Sequence, residues 1–306
     1  MSSSFPYADI AIIGGGIIGM SCAYELACQS DQRIVLFDKA NPASGTTGGS
    51  AGVICLHDMG EIYALLTLLG HARVRQLQRD HGFEFHTWGA LSVRYGPGPF
   101  PPEPDDYVRR FGHGGADSIY ATEILDVDEL LRRYPWIKPE GVRGGVFYPN
   151  QGFIDPYALV ALYEKLALET GRVQVHRNTP VLQIRTEGDA ITTLVTRRGA
   201  WRVGKVINAG GPWGAKVAAL AGSSLALTPQ RIQVCVATAF DDGVTVAPLT
   251  SVPESVQGEG VWCRGELGGT LLFGQHHHTT KAGFTVDPDY VNRVNDANYP
   301  ETVAQV

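Results

Sequence analysis

The sequence lacks the features of three classes of protein. Its 306 residues contain no apolar run close to the roughly 18 to 20 residues that a helix needs to cross a bilayer. Lysine and arginine number 25 against 31 aspartate and glutamate residues, and they form no basic cluster that could neutralise a nucleic-acid backbone. The N-terminal stretch, MSSSFPYAD, has no basic segment leading into an apolar core, so we expect no secretion signal. We therefore expect no transmembrane segment and no nucleic-acid partner.

Cysteine and metal-ligand patterns are equally sparse. The five cysteines are odd in number and scattered, and none forms a C-x-x-C pair. This usage indicates buried thiols in a reducing compartment, and we expect the cytoplasm. Three consecutive histidines, His276–His278, would point to alternate faces of a strand, with no carboxylate or cysteine at ligand spacing. We therefore expect no metal.

Glycine is abundant, and the stretch IIGGGIIG at residues 12–19 is its most informative use. Gly14, Gly16 and Gly19 follow the G-x-G-x-x-G spacing, between a β-branched apolar run and a helix-like segment rich in small residues. In such a strand-to-helix turn the first glycine permits a tight turn and the second leaves space for a pyrophosphate. The third lets the helix lie close to its strand. The helix N-terminus would also attract the phosphates.

A second predicted strand, RIVLFD, ends in Asp38, nineteen residues after Gly19. This is the position of a carboxylate that accepts hydrogen bonds from a ribose in dinucleotide-binding domains. A glycine-rich turn that binds nothing is the alternative interpretation. A nicotinamide-dependent dehydrogenase is another, although a simple doubly wound nicotinamide domain would not need the strand-rich segment at residues 173–206.

The remaining pattern mixes helices and strands. Residues 61–82 have apolar side chains at helical spacing, and a further helix is predicted after Asp155, a suitable N-cap, with Pro156 in its first turn. Residues 173–206 alternate apolar and polar residues, which predicts a β-meander ending in a buried strand, KVINAGG. From residue 227 onward we expect further strands of an antiparallel sheet.

Several separated segments, in order, resemble one family. DIAIIGGGIIGMSCAYEL, VLFDK and SGTTGGSAG are followed by GFIDPYALVALYEKLA and VINAGGPWGAKVA, and later by LTPQRIQV and GGTLLFGQ. This ordered set resembles the D-amino-acid-oxidase-like FAD-dependent oxidoreductases, which include glycine and sarcosine oxidases and amino-acid dehydrogenases. The resemblance covers nearly the whole chain, and the ordered set is much more specific than the first motif alone.

The resemblance implies FAD as the cofactor and assigns residues to it. The three motif glycines would surround the pyrophosphate, and Asp38, where the family more often has Glu, would hold the adenosine ribose. The stretch from Ala43 to Gly52 would run beside the ribityl chain and the flavin ring, and Val181 would offer its backbone to the adenine. The full set implied to bind FAD is Gly14, Gly16, Ile17, Ile18, Gly19, Asp38, Lys39, Ser44, Gly45, Thr46, Thr47, Gly49, Ser50, Ala51, Gly52, Val181, Ala209, Gly210, Gly211 and Trp213.

The fold class we predict is α/β, with a Rossmann-like FAD-binding domain interleaved with an antiparallel-sheet substrate domain. The FAD-binding domain would be discontinuous, over residues 1–85 and 150–225. The substrate domain would cover residues 86–149 and 226–285, and residues 286–306 would form a C-terminal tail.

The function we predict is oxidation of an amine or amino acid by hydride transfer from the carbon bearing nitrogen to the flavin. A 2-hydroxy-acid dehydrogenase on the same scaffold, and an inactive flavin-binding subunit or fragment, are the alternatives. The flavin would carry the electron chemistry, so no protein residue is assigned as catalytic. Arg231 and Arg264 are the candidates for holding a substrate carboxylate in a bidentate pair, and a structural or solvated role is the alternative for each.

Four further residues have weaker patterns. Cys55 and His57 follow the predicted flavin-contacting stretch, where covalent flavin attachment is one reading and a buried thiol with a loop histidine is the other. Tyr120 and Tyr148 could line a cavity, although nothing in their spacing distinguishes them.

In the resembled family, the substrate sheet is followed by a segment that returns to the dinucleotide domain. This sequence contains no counterpart of that segment up to Val306. We accordingly expect a flavin pocket that is open on one side, and a 306-residue chain that alone is either poorly soluble or binds FAD loosely and turns over slowly. A partner chain or a longer gene product could supply the missing segment.

Overall fold

The computed structural model describes residues 6–55, 61–96, 100, 115–230, 234–237, 248–252, 260–275 and 287–289. Its strands are β1 Tyr7–Ile13, β2 Ile34–Phe37, β3 Val53–Ile54, β4 Ala90–Tyr95, β5 Glu123–Leu125, β6 Val142–Tyr148, β7 Gly152–Phe153, β8 Val173–His176, β9 Val181–Glu187, β10 Ala190–Thr196, β11 Gly199–Asn208, β12 Cys235–Ala237, β13 Leu249–Val252, β14 Val261–Glu266 and β15 Thr270–Gln275. Its α-helices are α1 Ile17–Gln29, α2 Glu61–His81, α3 Val127–Arg133, α4 Pro156–Glu169 and α5 Gly214–Ala219. Among these described helices, none combines the length and the apolarity that a membrane crossing requires.

The chain divides into two compact units. The first unit comprises Met1–Ser50, Asp155–Gln230 and Thr285–Val291, and the second comprises Ala51–Ile154, Arg231–Phe284 and Asn292–Val306. The first break in this division follows Ser50, not residue 85 as we expected from the sequence. The reason is that α2 packs within the second unit: Ala64 lies in one buried cluster with Ile119 and Tyr120, and the Tyr120 hydroxyl donates to the Ala64 carbonyl at 2.9 Å.

The first unit contains a six-stranded sheet in the order β8-β2-β1-β11-β10-β9. Four strands are parallel, and β1 lies between β2 and β11, with Ile13 opposite both Phe37 and Asn208. Strand β8 pairs in parallel with β2, from Val173 opposite Ile34, so the predicted meander begins at β9 and not at residue 173. The last strand, β11, is also only partly buried over residues 205–208, where we predicted a buried strand.

Two layers cover the parallel strands of the first unit. Helices α1 and α4 pack on each other, with the rings of Tyr24 and Tyr163 5.8 Å apart. As predicted, Asp155 caps α4, because its carboxylate accepts from the amides of Tyr157 and Ala158 at 2.8 and 3.2 Å. Apolar side chains of the parallel strands form a second core with those of the meander strands; its buried members are Ala8, Ala11, Ile13, Val35, Phe37, Ile184, Leu194 and Val203.

The second unit contains a seven-stranded sheet in the order β12-β15-β14-β13-β4-β6-β5, and the two-stranded pair β3-β7. Its neighbours are antiparallel, as predicted for this part of the chain, except that β13 runs parallel to β4 with Thr250 opposite Leu91. Sequence patterning missed this pair because β13 has only four residues and meets a strand from a distant part of the chain. Short strands of this kind take their direction from long-range packing.

Candidate functional site

The glycine-rich turn, residues Gly14–Gly19, joins β1 to α1 and depends on two closely packed glycines. Gly14 has a φ of +113°, and a Cβ there would lie 2.3 Å from the Ala209 carbonyl oxygen. A Cβ at Gly19 would lie 1.9 Å from the Gly14 carbonyl oxygen. Both distances are far below any real contact of a Cβ atom, so these two glycines bring α1 against its strand and next to β11.

Gly16 differs from its two neighbours in the motif. It is the N-cap of α1, provides no side-chain cap, and adopts an extended conformation with φ −73°. A Cβ at Gly16 would meet a single atom within 4 Å, the Thr47 hydroxyl oxygen at 3.0 Å. That hydroxyl accepts from the Ile17 amide at 3.2 Å. The space in front of Gly16 is therefore open at a helix N-terminus, where a pyrophosphate fits by size and by charge.

Asp38 follows β2 and contacts the same turn. Its carboxylate accepts from the Gly15 amide at 2.6 Å and from the Ala40 amide at 2.7 Å, through different oxygens. The main chain of Asp38 is held as well, because its carbonyl accepts from the Thr179 amide at 2.7 Å. An ionised carboxylate has about four acceptor positions. Asp38 therefore keeps acceptor capacity for ribose hydroxyls while it fixes the turn.

The stretch from Ala43 to Ser50 forms consecutive turns that are hydrogen-bonded to the glycine-rich turn and the start of α1 at two points, Ala43 and Thr47. Ala43 has a φ of +63° and its amide donates to the Gly15 carbonyl at 3.1 Å. Thr47 holds the Ile17 amide, as described above. Most of the residues predicted to contact the cofactor in this stretch are exposed: Ser44, Gly45, Thr46, Gly49 and Ser50. Their backbone and hydroxyl groups are available to a ligand.

Two predicted cofactor residues, Lys39 and Trp213, lie together in the structure. The Lys39 ammonium is 3.7 Å from the centre of the Trp213 ring, and both donate to the Asp289 carboxylate, at 3.0 and 2.7 Å. Lys216 also pairs with Asp289, and these donors, Lys216 first, hold the pKa of that carboxyl well below its usual range. Sequence reasoning missed Asp289, because nothing local relates DPDY to a lysine 250 residues earlier.

The other predicted cofactor residues lie along the same sheet. Ala209 packs behind Gly14, and its amide donates to the Ile13 carbonyl at 2.9 Å. Gly210 and Gly211 lead into the short 3₁₀ turn that carries Trp213. Val181 begins β9 opposite Thr196, two residues after the Thr179 amide that binds Asp38. A further glycine, Gly48, was not predicted; a Cβ there would lie 2.3 Å from the Tyr157 ring.

Of the two predicted substrate arginines, Arg231 lies outside the described residues. Arg264 is 3% exposed, and its guanidinium donates to three acceptors of the protein. Nε donates to the Ala51 carbonyl at 3.0 Å, and Nη1 to the Gly265 carbonyl at 2.9 Å. Nη2 donates to the Glu266 carboxylate at 2.8 Å. The carboxylate that Arg264 holds in the structure therefore belongs to the protein itself.

Three of the four residues with weaker sequence patterns, Cys55, Tyr120 and Tyr148, lie within the described part of the protein. Cys55 is buried, and burial raises the pKa of its thiol to about 12. Tyr120 is buried and bound to the Ala64 carbonyl, and Tyr148 is half-buried on β6. His57 and His276–His278 fall outside the described residues. In the part of the chain that the structure does describe, no three His, Cys, Asp or Glu side chains are grouped closely enough to hold a metal ion.

Comparison with known proteins identifies the arrangement. A family described as FAD dependent oxidoreductase (DAO) matches residues 9–299. Human mitochondrial dimethylglycine dehydrogenase is 25% identical over 278 residues, which cover 90% of this chain and 31% of that protein. The 4-methylaminobutanoate oxidase (formaldehyde-forming) of Paenarthrobacter nicotinovorans is 29% identical over 219 residues, covering 71% of this chain and 26% of that protein. The chain thus spans about a third or less of the length of these relatives.

A solved structure shows the same fold. L-α-glycerophosphate oxidase from Mycoplasma pneumoniae, with FAD bound, superposes with a TM-score of 0.76 at 21% identity. The superposition covers 98% of this chain and 77% of that chain. The mixed α/β architecture described above is therefore that of FAD-dependent enzymes.

Proposed function

Because the chain belongs to the FAD dependent oxidoreductase (DAO) family, we propose that it binds FAD in the first unit and oxidises an amine or amino acid. The observation that carries the cofactor site is the open face of Gly16 at the start of α1, between two glycines that cannot take a side chain. Bound FAD would supply the acceptor for the hydride. The chain itself would bind, orient and enclose the substrate.

The residues around the turn fit the cofactor by their chemistry. The amides at the start of α1 and the Thr47 hydroxyl suit the pyrophosphate, and the remaining acceptor positions of Asp38 suit the ribose hydroxyls. Lys39 follows Asp38 in the chain, and its ammonium lies over the Trp213 ring, paired with Asp289. The remaining residues assigned to FAD by resemblance, from Ser44 to Gly52 and from Ala209 to Trp213, are proposed with them.

The substrate class rests on the relatives. The two curated relatives described above are named for dimethylglycine and 4-methylaminobutanoate, which both combine a methylated amine with a carboxylate. We infer that the chain binds an amine of this kind, with the carbon next to nitrogen as the hydride donor. Arg231 stays our candidate for the carboxylate, since Arg264 already holds Glu266.

The test is a flavin spectrum followed by a substrate panel. Purified protein, reconstituted with FAD, should show flavin absorbance bands that bleach anaerobically when an oxidisable amine is added. The panel would contain N-methylated amino acids, unsubstituted amino acids, simple amines and a 2-hydroxy acid, each with oxygen or an artificial electron acceptor. Flavin that is bound and bleached only by the hydroxy acid would favour the alternative function. Stoichiometric flavin that no compound bleaches would favour a flavin-binding subunit.

We also propose a cytoplasmic location and a partner polypeptide. The five cysteines, all within the described residues, form no disulfide, which is the pattern expected of a reducing compartment. The N-terminal half of α2 exposes contiguous apolar side chains: Ile62, Tyr63, Leu65, Leu66 and Leu69, between 42 and 73% exposed. Apolar patches of this kind are typical of interaction surfaces. Leu66→Glu should abolish co-purification with the partner or self-association in sedimentation, whereas Gln76→Glu on the same helix should leave either unchanged.

A further inference from the structure

Arg264 is a buried cation that the proposed chemistry does not use. It lies on β14, an interior strand of the seven-stranded sheet, and only 3% of it is exposed. A charge taken out of water is retained only where it is paired and hydrogen-bonded. The contacts of Arg264 therefore identify the groups that pair with this charge and satisfy its hydrogen bonds.

One edge of the Arg264 guanidinium pairs with a carboxylate on the same strand. Glu266 lies two residues further along β14 and so on the same face of the sheet, and its carboxylate accepts from Nη2 at 2.8 Å. Below the guanidinium plane lies Phe153, with Cζ 4.1 Å from the ring centre. The Phe153 ring is in turn fixed by Trp88 and His86, each with its ring centre 4.9 Å away. The side chain of Arg264 is thus held in one orientation.

The remaining edge reaches a distant segment. Nε donates to the carbonyl of Ala51 at 3.0 Å. The next residue, Gly52, has a φ of +64°, and its carbonyl accepts from the Ile154 amide at 2.9 Å. Val53 then pairs with Phe153 in the β3-β7 ladder. Residues 51–53 are therefore all held: Arg264 binds the first, Ile154 binds the second, and Phe153, whose ring packs on Arg264, pairs with the third.

We propose that Arg264 is a positioning residue that fixes the Ala51 carbonyl and thereby the orientation of the Ala51 and Gly52 peptide groups. This inference rests on the proposed function, in which these two residues belong to the set that binds FAD. Peptide dipoles and amide hydrogen bonds beside a flavin tune its electronic properties. Arg264 would thus act on the cofactor through Ala51, and the substrate carboxylate would be bound elsewhere.

The test compares Arg264→Met and Arg264→Lys with Arg132→Met, a control in the same unit whose arginine pairs with Glu129 at the surface of α3. On FAD-loaded protein we would measure the reduction potential, the visible spectrum, and kcat and KM for an amine with and without a carboxylate. Arg264→Met should shift the potential and the spectrum and lower kcat for both amines by a similar factor, about tenfold to a hundredfold. KM should stay unchanged. Arg264→Lys should retain part of the kcat that Arg264→Met loses, and Arg132→Met should match the parent in every measurement.

Two results would overturn the inference. A KM that rises only for the carboxylate-bearing amine, with unchanged potential, would make Arg264 a substrate anchor. A lower melting temperature with unchanged potential, spectrum and kcat would make its role purely structural.

A measurement without cofactor separates this inference from the proposed function. If the parent retains no FAD, the proposed function fails, yet amide hydrogen exchange can still be followed in the free protein. Residues 51–54 should exchange faster in Arg264→Met than in the parent, while residues 14–19 exchange at the parent rate. Equal exchange at residues 51–54 in both proteins would refute the positioning role as well. If Arg264→Met fails to fold, Glu266→Gln, which weakens the guanidinium's ion pair, gives the same readouts.

Discussion

The glycine-rich turn of the first unit and the surroundings of Arg264 in the second unit differ in how far the protein itself fills the space around their polar groups. In the turn, Gly16 leaves open space at a helix N-terminus, although its neighbours Gly14 and Gly19 are packed against backbone. Around Arg264, a carboxylate, two carbonyls and an aromatic ring take up the guanidinium. The first arrangement leaves open space, which we propose a ligand fills, and in the second the guanidinium is already bound by groups of the protein.

The difference shows that residue type alone does not identify a binding site. A functional arginine and a structural arginine look alike in sequence, because both stand on predicted strands. A glycine that is required by packing and a glycine that leaves room for a ligand also look alike, because both satisfy the motif. Only the neighbouring atoms distinguish them, and this suggests pairs of substitutions that would sharpen or break the comparison.

The largest effect is expected from Gly19→Ala against Gly16→Ala. In a helix, alanine is ordinarily favoured over glycine by roughly 1 kcal/mol, but the new Cβ at Gly19 would lie 1.9 Å from the Gly14 carbonyl oxygen. We expect Gly19→Ala to lower the free energy of unfolding of the FAD-free protein by about 3 kcal/mol, measured in urea. Gly16→Ala should change this free energy by less than about 1 kcal/mol and instead weaken FAD binding. Equal stability losses in the two variants would remove the distinction between packed and open glycines.

A smaller effect is expected at Asp38, whose carboxylate already accepts from two backbone amides of the protein. Asp38→Ala should weaken FAD binding by about 1 to 3 kcal/mol, because charged hydrogen bonds to the ribose are lost. Asp38→Asn keeps one acceptor for Gly15 or Ala40 and should retain more of the stability of the FAD-free protein. FAD affinity is followed by flavin fluorescence and stability by thermal melting. If Asp38→Ala keeps the affinity of the parent and only melts earlier, the carboxylate serves the turn alone.

The smallest effect is expected at His71, a buried titratable side chain of the second unit. It is 5% exposed on α2, packs edge-on against Phe85, and its buried Nε2 has no hydrogen-bond partner within the described part of the chain. Burial, and then the charge of Arg75, lower the pKa of His71 below its ordinary value of 6.5. The unfolded chain therefore binds a proton more readily than the folded one as the pH falls through 6.5, so the folded state should lose stability there. The melting temperature of the parent should drop between pH 7 and pH 5, and His71→Phe should reduce that slope. An identical slope in the variant would show that other groups cause it.

Local sequence was sufficient for much of the first unit. The strand-turn-helix around Gly14–Gly19 and the Asp155 cap of α4 follow from residues close in the chain, and the structure contains both. The β8 pairing with β2 did not follow, because VQVH alternates like the first strand of a meander and only its long-range partner makes it parallel.

The second unit was less predictable for the same physical reason. The parallel pairing of β13 with β4 and the Arg264 contact with Ala51 join segments far apart in sequence. A buried arginine carries no local signal of its partner, so its sequence was equally compatible with binding a substrate. The Asp289 contacts with Lys39 and Trp213 were missed because they too have no local signature.

The position of β1 between β2 and β11 also constrains how the chain folds as it is synthesised. One edge of β1 gains its partner only after residues 199–208 have left the ribosome, while residues 51–154 of the other unit emerge earlier. The nascent chain must therefore hold an unpaired strand edge next to apolar side chains until residues 199–208 are made, and such edges promote misassociation. Pairing at such long separation is also slow. Protection by chaperones is thus expected to matter until Asn208 is in place, and a nascent chain arrested before this residue should stay sensitive to protease throughout its first fifty residues.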